Sequence, residues 1–310
     1  MIFTSLKSGL AHMRVHKRML WVYYLSNLFF AFLIAAPLRF LLDNFIGDSQ
    51  MGERLGGAMD MDFLFEFIKE NLSGLSAFTG LLLVVPAVYW LFNLFLSGGA
   101  FATFAQSEKY SSAFFWGNAA KYFGRFVRLS LWSIPLLVAL FCVQYLETAI
   151  RLIVFGKDAY QNLTYWGGWI RTGLLGFGFV VFQMVFDYAR IHTVRHDENR
   201  MRTSLWISLK FTFGNFLPTF GLALLLLIAG ALVLLIYNPI ANNLNAPNGL
   251  IVFLLLVWQQ AYMFFRMIVR LSLYAGETHL YQNLAEQPEP AAYTQQSDDL
   301  GTQGLSLATE

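Results

Sequence analysis

The chain has 310 residues, a formal charge of +2, 57% hydrophobic residues and 13% charged residues, against roughly 25% charged in soluble domains. That deficit, with 31 phenylalanines and a mean hydropathy of +0.52, excludes an ordinary soluble enzyme. It also leaves no net field for gathering nucleic acid. Cys142 is the single cysteine, which excludes an intrachain disulfide and a cysteine metal cluster.

Six runs approach the roughly 20 apolar residues needed to cross a hydrocarbon core: about 20–42, 77–98, 127–147, 169–189, 217–238 and 249–271. A bilayer offers no water to unpaired backbone groups, and the runs lack barrel-strand alternation, so each is expected to be helical. The predicted fold is an all-α membrane protein with six transmembrane helices. The first run exceeds a signal-peptide core and is read as a span.

Lysine and arginine mark the retained side of a membrane. Lys7, Arg14, Lys17, Arg18, Lys109, Lys121, Arg125, Arg128, Arg190, Arg195, Arg200, Arg202, Lys210, Arg266 and Arg270 flank one face. Arg39, Arg54, Lys69, Arg151, Lys157 and Arg171 flank the other. The bias predicts both termini on the cytoplasmic side. Trp21, Tyr23 and Tyr24 at one edge, and Tyr165, Trp166 and Trp169 at the other, read as interface belts.

Between spans one and two, residues 43–76 form an acidic outside loop. Within it, Phe63, Leu64, Phe67, Ile68 and Leu72 predict a short amphipathic helix over 62–72, N-capped by Asp62. Beyond Leu284 the chain is polar, with prolines and no base, and 285–310 is expected to be a disordered acidic cytoplasmic tail. Loop and tail are the surfaces offered to a protein partner. The remaining partner expected is membrane lipid, and the sequence sets no oligomeric state.

Shifting the chain by 90 residues aligns Phe92, Thr103, Glu108, Trp116, Phe123, Gly124 and Phe126 with Phe182, Thr193, Glu198, Trp206, Phe213, Gly214 and Phe216, seven identities in 35 positions. An amphipathic stretch precedes each odd span: Leu6, Leu10 and Met13; then Phe114, Phe115, Asn118 and Tyr122; then Leu205, Leu209 and Phe213. Residues 1–284 therefore read as one membrane domain of three tandem repeats (about 1–99, 100–190 and 191–284). Each repeat is an interfacial helix followed by two spans.

Asp187-Tyr188-Ala189-Arg190, Trp206, Phe213-Gly214, the stretch Gln260 to Arg266, Arg270-Leu271 and Leu280-Tyr281-Gln282 together resemble a family of six-span bacterial integral membrane proteins with no agreed activity. That family is loosely similar to the membrane region of some glycerophosphodiester phosphodiesterases. The resemblance covers most of residues 1–284 and implies a structural framework rather than a reaction. The catalytic phosphodiesterase domain has no counterpart here.

Polar residues within spans are the default place to seek function. Asn93 and Gln183 occupy matching repeat positions. Gln259 precedes Arg266 by seven residues, as Gln183 precedes Arg190, so each pair shares a helix face. If the even spans meet, Asn93, Gln183 and Gln259 or Gln260 are expected to form a ring of amides able to bind a polar solute or headgroup; the competing reading is interhelical glue. Asp187, one turn from Arg190, needs a cation partner and reads as an ion pair or a relay. The i, i+4 histidine pairs His12/His16 and His192/His196 read as headgroup-facing rather than metal-binding. The chain has no GxSxG, Walker loop, CxxC or GxGxxG opening a βαβ unit. The expectation is a non-enzymatic, lipid-contacting or membrane-assembly scaffold without cofactor or metal; the alternative is a carrier for a small polar or amphipathic solute.

Overall fold

The computed structural model describes residues 2–47, 61–106, 110–156, 161–243 and 249–285. The described residues are 95% helical and contain no strands. In chain order they form α1 (Ile2–Val15), α2 (Lys17–Ile46), α3 (Met61–Glu70), α4 (Leu72–Ala105), α5 (Ser112–Phe155), α6 (Gln161–Arg195), α7 (Met201–Gly214), α8 (Phe216–Asn243) and α9 (Gly249–Ala285). Six of them, α2, α4, α5, α6, α8 and α9, are long and apolar enough to cross a membrane, as expected from the apolar runs. Pro37, Pro86, Pro135 and Pro239 all lie inside continuous helices.

Every spanning helix outruns its apolar stretch. At 1.5 Å per residue the 37 residues of α9 reach about 55 Å, nearly twice a hydrocarbon core. In α9 the surplus lies at the end of the bundle that holds α1, α7 and the C-termini of α4, α6 and α9, called here the basic end. There the core forms: Met19, Tyr23, Leu96, Phe101, Phe115, Phe126, Met184, Tyr188, Ile191, Leu271, Tyr274 and Tyr281 are one buried cluster. At the far end the large apolar residues stay exposed, among them Phe40, Leu83, Ile153, Trp166, Leu235 and Phe253, as suits a surface facing lipid chains.

Small residues decide the close contacts. A Cβ on Gly9 would lie 2.8 Å from the Ser272 carbonyl and 2.9 Å from the Gly276 nitrogen, so α1 crosses α9 backbone to backbone. A Cβ on Gly99 would lie 2.7 Å from the Phe115 carbonyl, which sets α4 against α5. On α7 the buried face is Met201, Ser204, Leu205, Ser208 and Thr212, and Ser208 Oγ donates to the Val185 carbonyl of α6. In lipid, apolar faces gain little by meeting one another, and small residues let backbones approach.

Helices α4, α6 and α9 touch one another pairwise. Around them α5 packs on α4, α7 on α6 and α1 on α9, while α2 pairs with α4, α5 with α6 and α8 with α9. Arg195 of α6 and Gln282 of α9 both donate to the Ala105 carbonyl that ends α4, each at 3.3 Å.

Four expectations change in detail. The second amphipathic stretch is no separate helix, because α5 runs unbroken from Ser112 to Phe155. The faces chosen from large residues are only partly right: Phe115 and Tyr122 are buried, whereas Leu10 and Phe213 are exposed, their places taken by Ser5 and Gly9, and by Ser204 and Ser208. Asp62 lies within α3 rather than before it. The loop proposed for 43–76 loses both ends to α2 and α4, and its residues 48–60, like the tail from 286 onward, lie outside the described residues. The helix expected inside the loop is present as α3, whose Phe63 and Phe67 hold Phe45 at ring-centroid distances of 5.4 and 5.3 Å.

Gly99→Ala is expected to lower unfolding free energy in detergent by about 1–3 kcal/mol, the usual penalty of overpacking. Gly117→Ala, where a Cβ meets nothing within 4 Å, is expected to raise it by about 0.5–1 kcal/mol. Denaturant titration of both variants checks the contrast.

Candidate functional site

Helices α6 and α9 bring charge into the core of the basic end. On α6, Asp187 and Arg190 are one turn apart and both buried, and the Asp187 Oδ1 to Arg190 guanidinium distance is 3.1 Å. The guanidinium also lies 3.9 Å from the Phe186 ring centroid and 5.8 Å from that of Phe126, faces that favour a cation. Asp187 Oδ2 and Arg190 Nε have no hydrogen-bond partner.

On α9, Arg270 Nε donates to the Tyr274 hydroxyl at 3.1 Å. Glu277, two turns further on the same face, is 1% exposed, and its Oε2 has no hydrogen-bond partner. The charges of Asp187 and Arg190 reach Glu277, and that of Arg270 reaches Asp187. Two carboxylates and two guanidiniums thus sit within one electrostatic neighbourhood between α6 and α9.

This neighbourhood adjoins a cleft of about 710 Å³ flanked by α6, α8 and α9. Val180, Met184, Leu226 and Leu234 are among its apolar walls, and Gln183, Arg266, Arg270 and Glu277 are its polar and charged members. Leu227, Leu234, Gln183 and Arg266 are exposed, so the cleft opens on the outer surface of the bundle.

The expected ring of amides is not assembled. Asn93 is buried and donates to its own helix at the Tyr89 carbonyl, 3.0 Å away. Gln260 accepts from the Tyr24 hydroxyl of α2 at 2.8 Å, and Gln259 is exposed. Spacing along a helix fixes a face, but Asn93 turns to its own helix, Gln260 to α2 and Gln183 to the cleft. Gln183 and Arg266 do come together, as lining of the cleft, and Asp187 and Arg190 pair as expected. Glu277 and Arg270 were not read as site residues in the sequence. The signal was present: an isolated acid in a helix of small and apolar residues, seven positions after an arginine.

His16 and His192, expected to face headgroups, are buried instead, whereas His196 is exposed. His192 Nδ1 lies 2.8 Å from the Tyr281 hydroxyl. His16, at the break between α1 and α2, is buried edge-on to Phe104 at 6.0 Å. Nearby, Asp197 receives Lys121 at 3.0 Å and Arg125 at 2.7 Å, tying α5 to the turn between α6 and α7. The Lys121 hydrogen bond, with Arg125, holds the Asp197 carboxyl below its ordinary range.

Comparison with known protein families, with characterised proteins and with solved structures found no match for the chain.

Two predictions follow from these groups. Arg190→Met alone is expected to cost about 3–5 kcal/mol by leaving Asp187 buried and unpaired, whereas Asp187→Leu together with Arg190→Met costs much less; unfolding midpoints of the set check this. Burial, then the neighbouring His12, holds His16 below its ordinary value of 6.5. Its folded form favours the neutral ring, so its contribution is complete above that value and is lost as pH falls through the lower folded one. Melting temperature is expected to drop between pH ~7.5 and pH ~5, and His16→Leu to remove part of that drop.

Proposed function

We propose that the protein is a multi-pass protein of a bacterial inner membrane, with both termini cytoplasmic, that acts without catalysis by holding a membrane lipid in the cleft between α6, α8 and α9. The observation that carries this reading is the cleft itself. A volume of about 710 Å³ is within the range of ligand pockets, its walls are largely aliphatic, and its charged residues are mostly cationic. An amphiphile with a phosphate head matches that division: chains against Val180, Leu226 and Leu234, phosphate against Arg266 and Arg270.

Depth agrees. Counted from Gly249 at the start of α9, Arg270 lies about 31 Å along the helix, the thickness of a hydrocarbon core. The arginines then stand at inner headgroup level, where the lysine and arginine bias also puts the basic end.

The framework for this site is read as three tandem helix pairs about a common axis: α2 with α4, α5 with α6, and α8 with α9. The 90-residue identities support it, as does the mutual contact of α4, α6 and α9. So do Thr103, Thr193 and Thr278, each buried and each donating to the carbonyl four residues earlier. In this framework α1 and α7 are the helices at the inner interface.

Gly230 lines the cleft, and a Cβ there would meet nothing within 4 Å. Gly230→Trp is therefore expected to preserve the fold while filling the cleft. Native mass spectrometry of gently solubilised protein should find retained phospholipid on the wild type and about tenfold less on the variant. Equal retention would refute the reading, and solute flux in vesicles that Gly230→Trp abolishes would favour a carrier instead.

A further inference from the structure

We propose that the cleft selects a zwitterionic phospholipid whose headgroup ends in a primary ammonium, with the phosphate at Arg266 and Arg270 and the N–H donors at Glu277. This inference rests on the lipid-holding reading and adds the headgroup class.

Glu277 carries the argument. It lines the cleft, is 1% exposed, and its Oε2 accepts no hydrogen bond from the protein. A buried carboxylate oxygen without a donor costs free energy that a donor recovers. The nearest protein donors leave that oxygen unmet: the Arg190 guanidinium holds Asp187 at 3.1 Å, Arg270 Nε donates to Tyr274 at 3.1 Å, and neither Arg190 Nε nor the Tyr188 hydroxyl bonds to it. Asp187 has the wrong sign to help. Glu277 lines the cleft, so a donor on a bound ligand can meet that oxygen.

The ligand must also suit the guanidiniums. Arg270 and Glu277 stand seven residues apart on one face of α9, about 10.5 Å along the axis. Both side chains line the cleft. A phosphate and an ammonium joined through a two-carbon bridge present opposite charges a few bonds apart, in the same order as the arginine and the acid. A trimethylated ammonium keeps the charge and has no N–H. A glycerol head keeps hydroxyl donors and has no cation. Neither meets both demands of the site.

The test uses the full chain in detergent and a headgroup series at equal lipid concentration: phosphatidylethanolamine, its N-methyl and N,N-dimethyl derivatives, phosphatidylcholine and phosphatidylglycerol. Native mass spectrometry reads the retained lipid. On the wild type, retention is expected to fall with each methyl, about tenfold across the series, the size of one charge-assisted hydrogen bond. Phosphatidylglycerol should rank below phosphatidylethanolamine. Glu277→Gln should flatten the methylation series to within about twofold while total lipid is still retained. The wild-type series needs no variant to fold.

A flat wild-type series, a phosphatidylglycerol preference, or an unchanged slope in Glu277→Gln overturns the headgroup assignment and leaves the lipid-holding reading intact. Retention no higher than on Gly230→Trp, for every lipid tested, overturns both.

Discussion

Backbone-to-backbone approach at the basic end is the constraint on which the bundle depends. In water a helix docks because its apolar stripe leaves solvent. Between lipid chains that gain nearly vanishes, and what remains is dispersion at short range and interhelical hydrogen bonds. Gly9 against Ser272 and Gly276, Gly99 against Phe115, and Ser208 on the Val185 carbonyl are contacts of that kind. They lie where the chain has small residues, and the far halves of the same helices, rich in Leu, Phe and Val, stay open to the bilayer. A tight end and a loose end on the same six rods leave a wedge between neighbours. The cleft between α6, α8 and α9 is such a wedge, which is why it is aliphatic toward one end and charged toward the other.

The charged cluster follows from the same geometry. Helices α6 and α9, meeting at their basic ends, bring charged residues face to face, so Asp187, Arg190, Arg270 and Glu277 share one neighbourhood. Paired charges there are tolerable and unpaired ones are costly. The two acids and two arginines balance in number but not in geometry: Asp187 takes Arg190, Arg270 turns to Tyr274, and Glu277 keeps an oxygen without a donor. Asp187 Oδ2 and Glu277 Oε2 both lack a donor, so the cluster is not closed on itself, and Glu277 is the member that lines the cleft.

The six long helices were legible in the sequence because a run of about 20 apolar residues has few alternatives once backbone groups must pair internally. The Asp187 and Arg190 pair was legible for a similar reason, since a buried acid demands a local cation. Helix faces were less so. Large residues at i, i+4 spacing mark the buried side of a helix in water, but here Leu10 and Phe213 face outward, and the inward positions are Ser5, Gly9, Ser204 and Ser208. The amide ring failed on the same ground: seven-residue spacing put Gln183 and Arg190, and Gln259 and Arg266, each on one face, but nothing in a single sequence says which neighbour that face meets.

The proposed repeat separates framework from site. Thr193 lies 90 residues after Thr103 and 85 before Thr278, and all three make the same hydrogen bond to the preceding turn. In that register Asp187 and Arg190 correspond to Ser97 and Ala100 in one repeat and to Ser272 and Ala275 in the other, all four buried. Small residues are what close helix packing requires at those positions, so the second repeat departs from the pattern by burying an ion pair where its counterparts bury a serine and an alanine. Glu277 departs likewise, falling in register with Ala102 and His192. Among the described residues the charged cluster thus falls at one of the three corresponding places of the proposed repeat, so the proposed amphiphile would sit beside α6 and α9 alone.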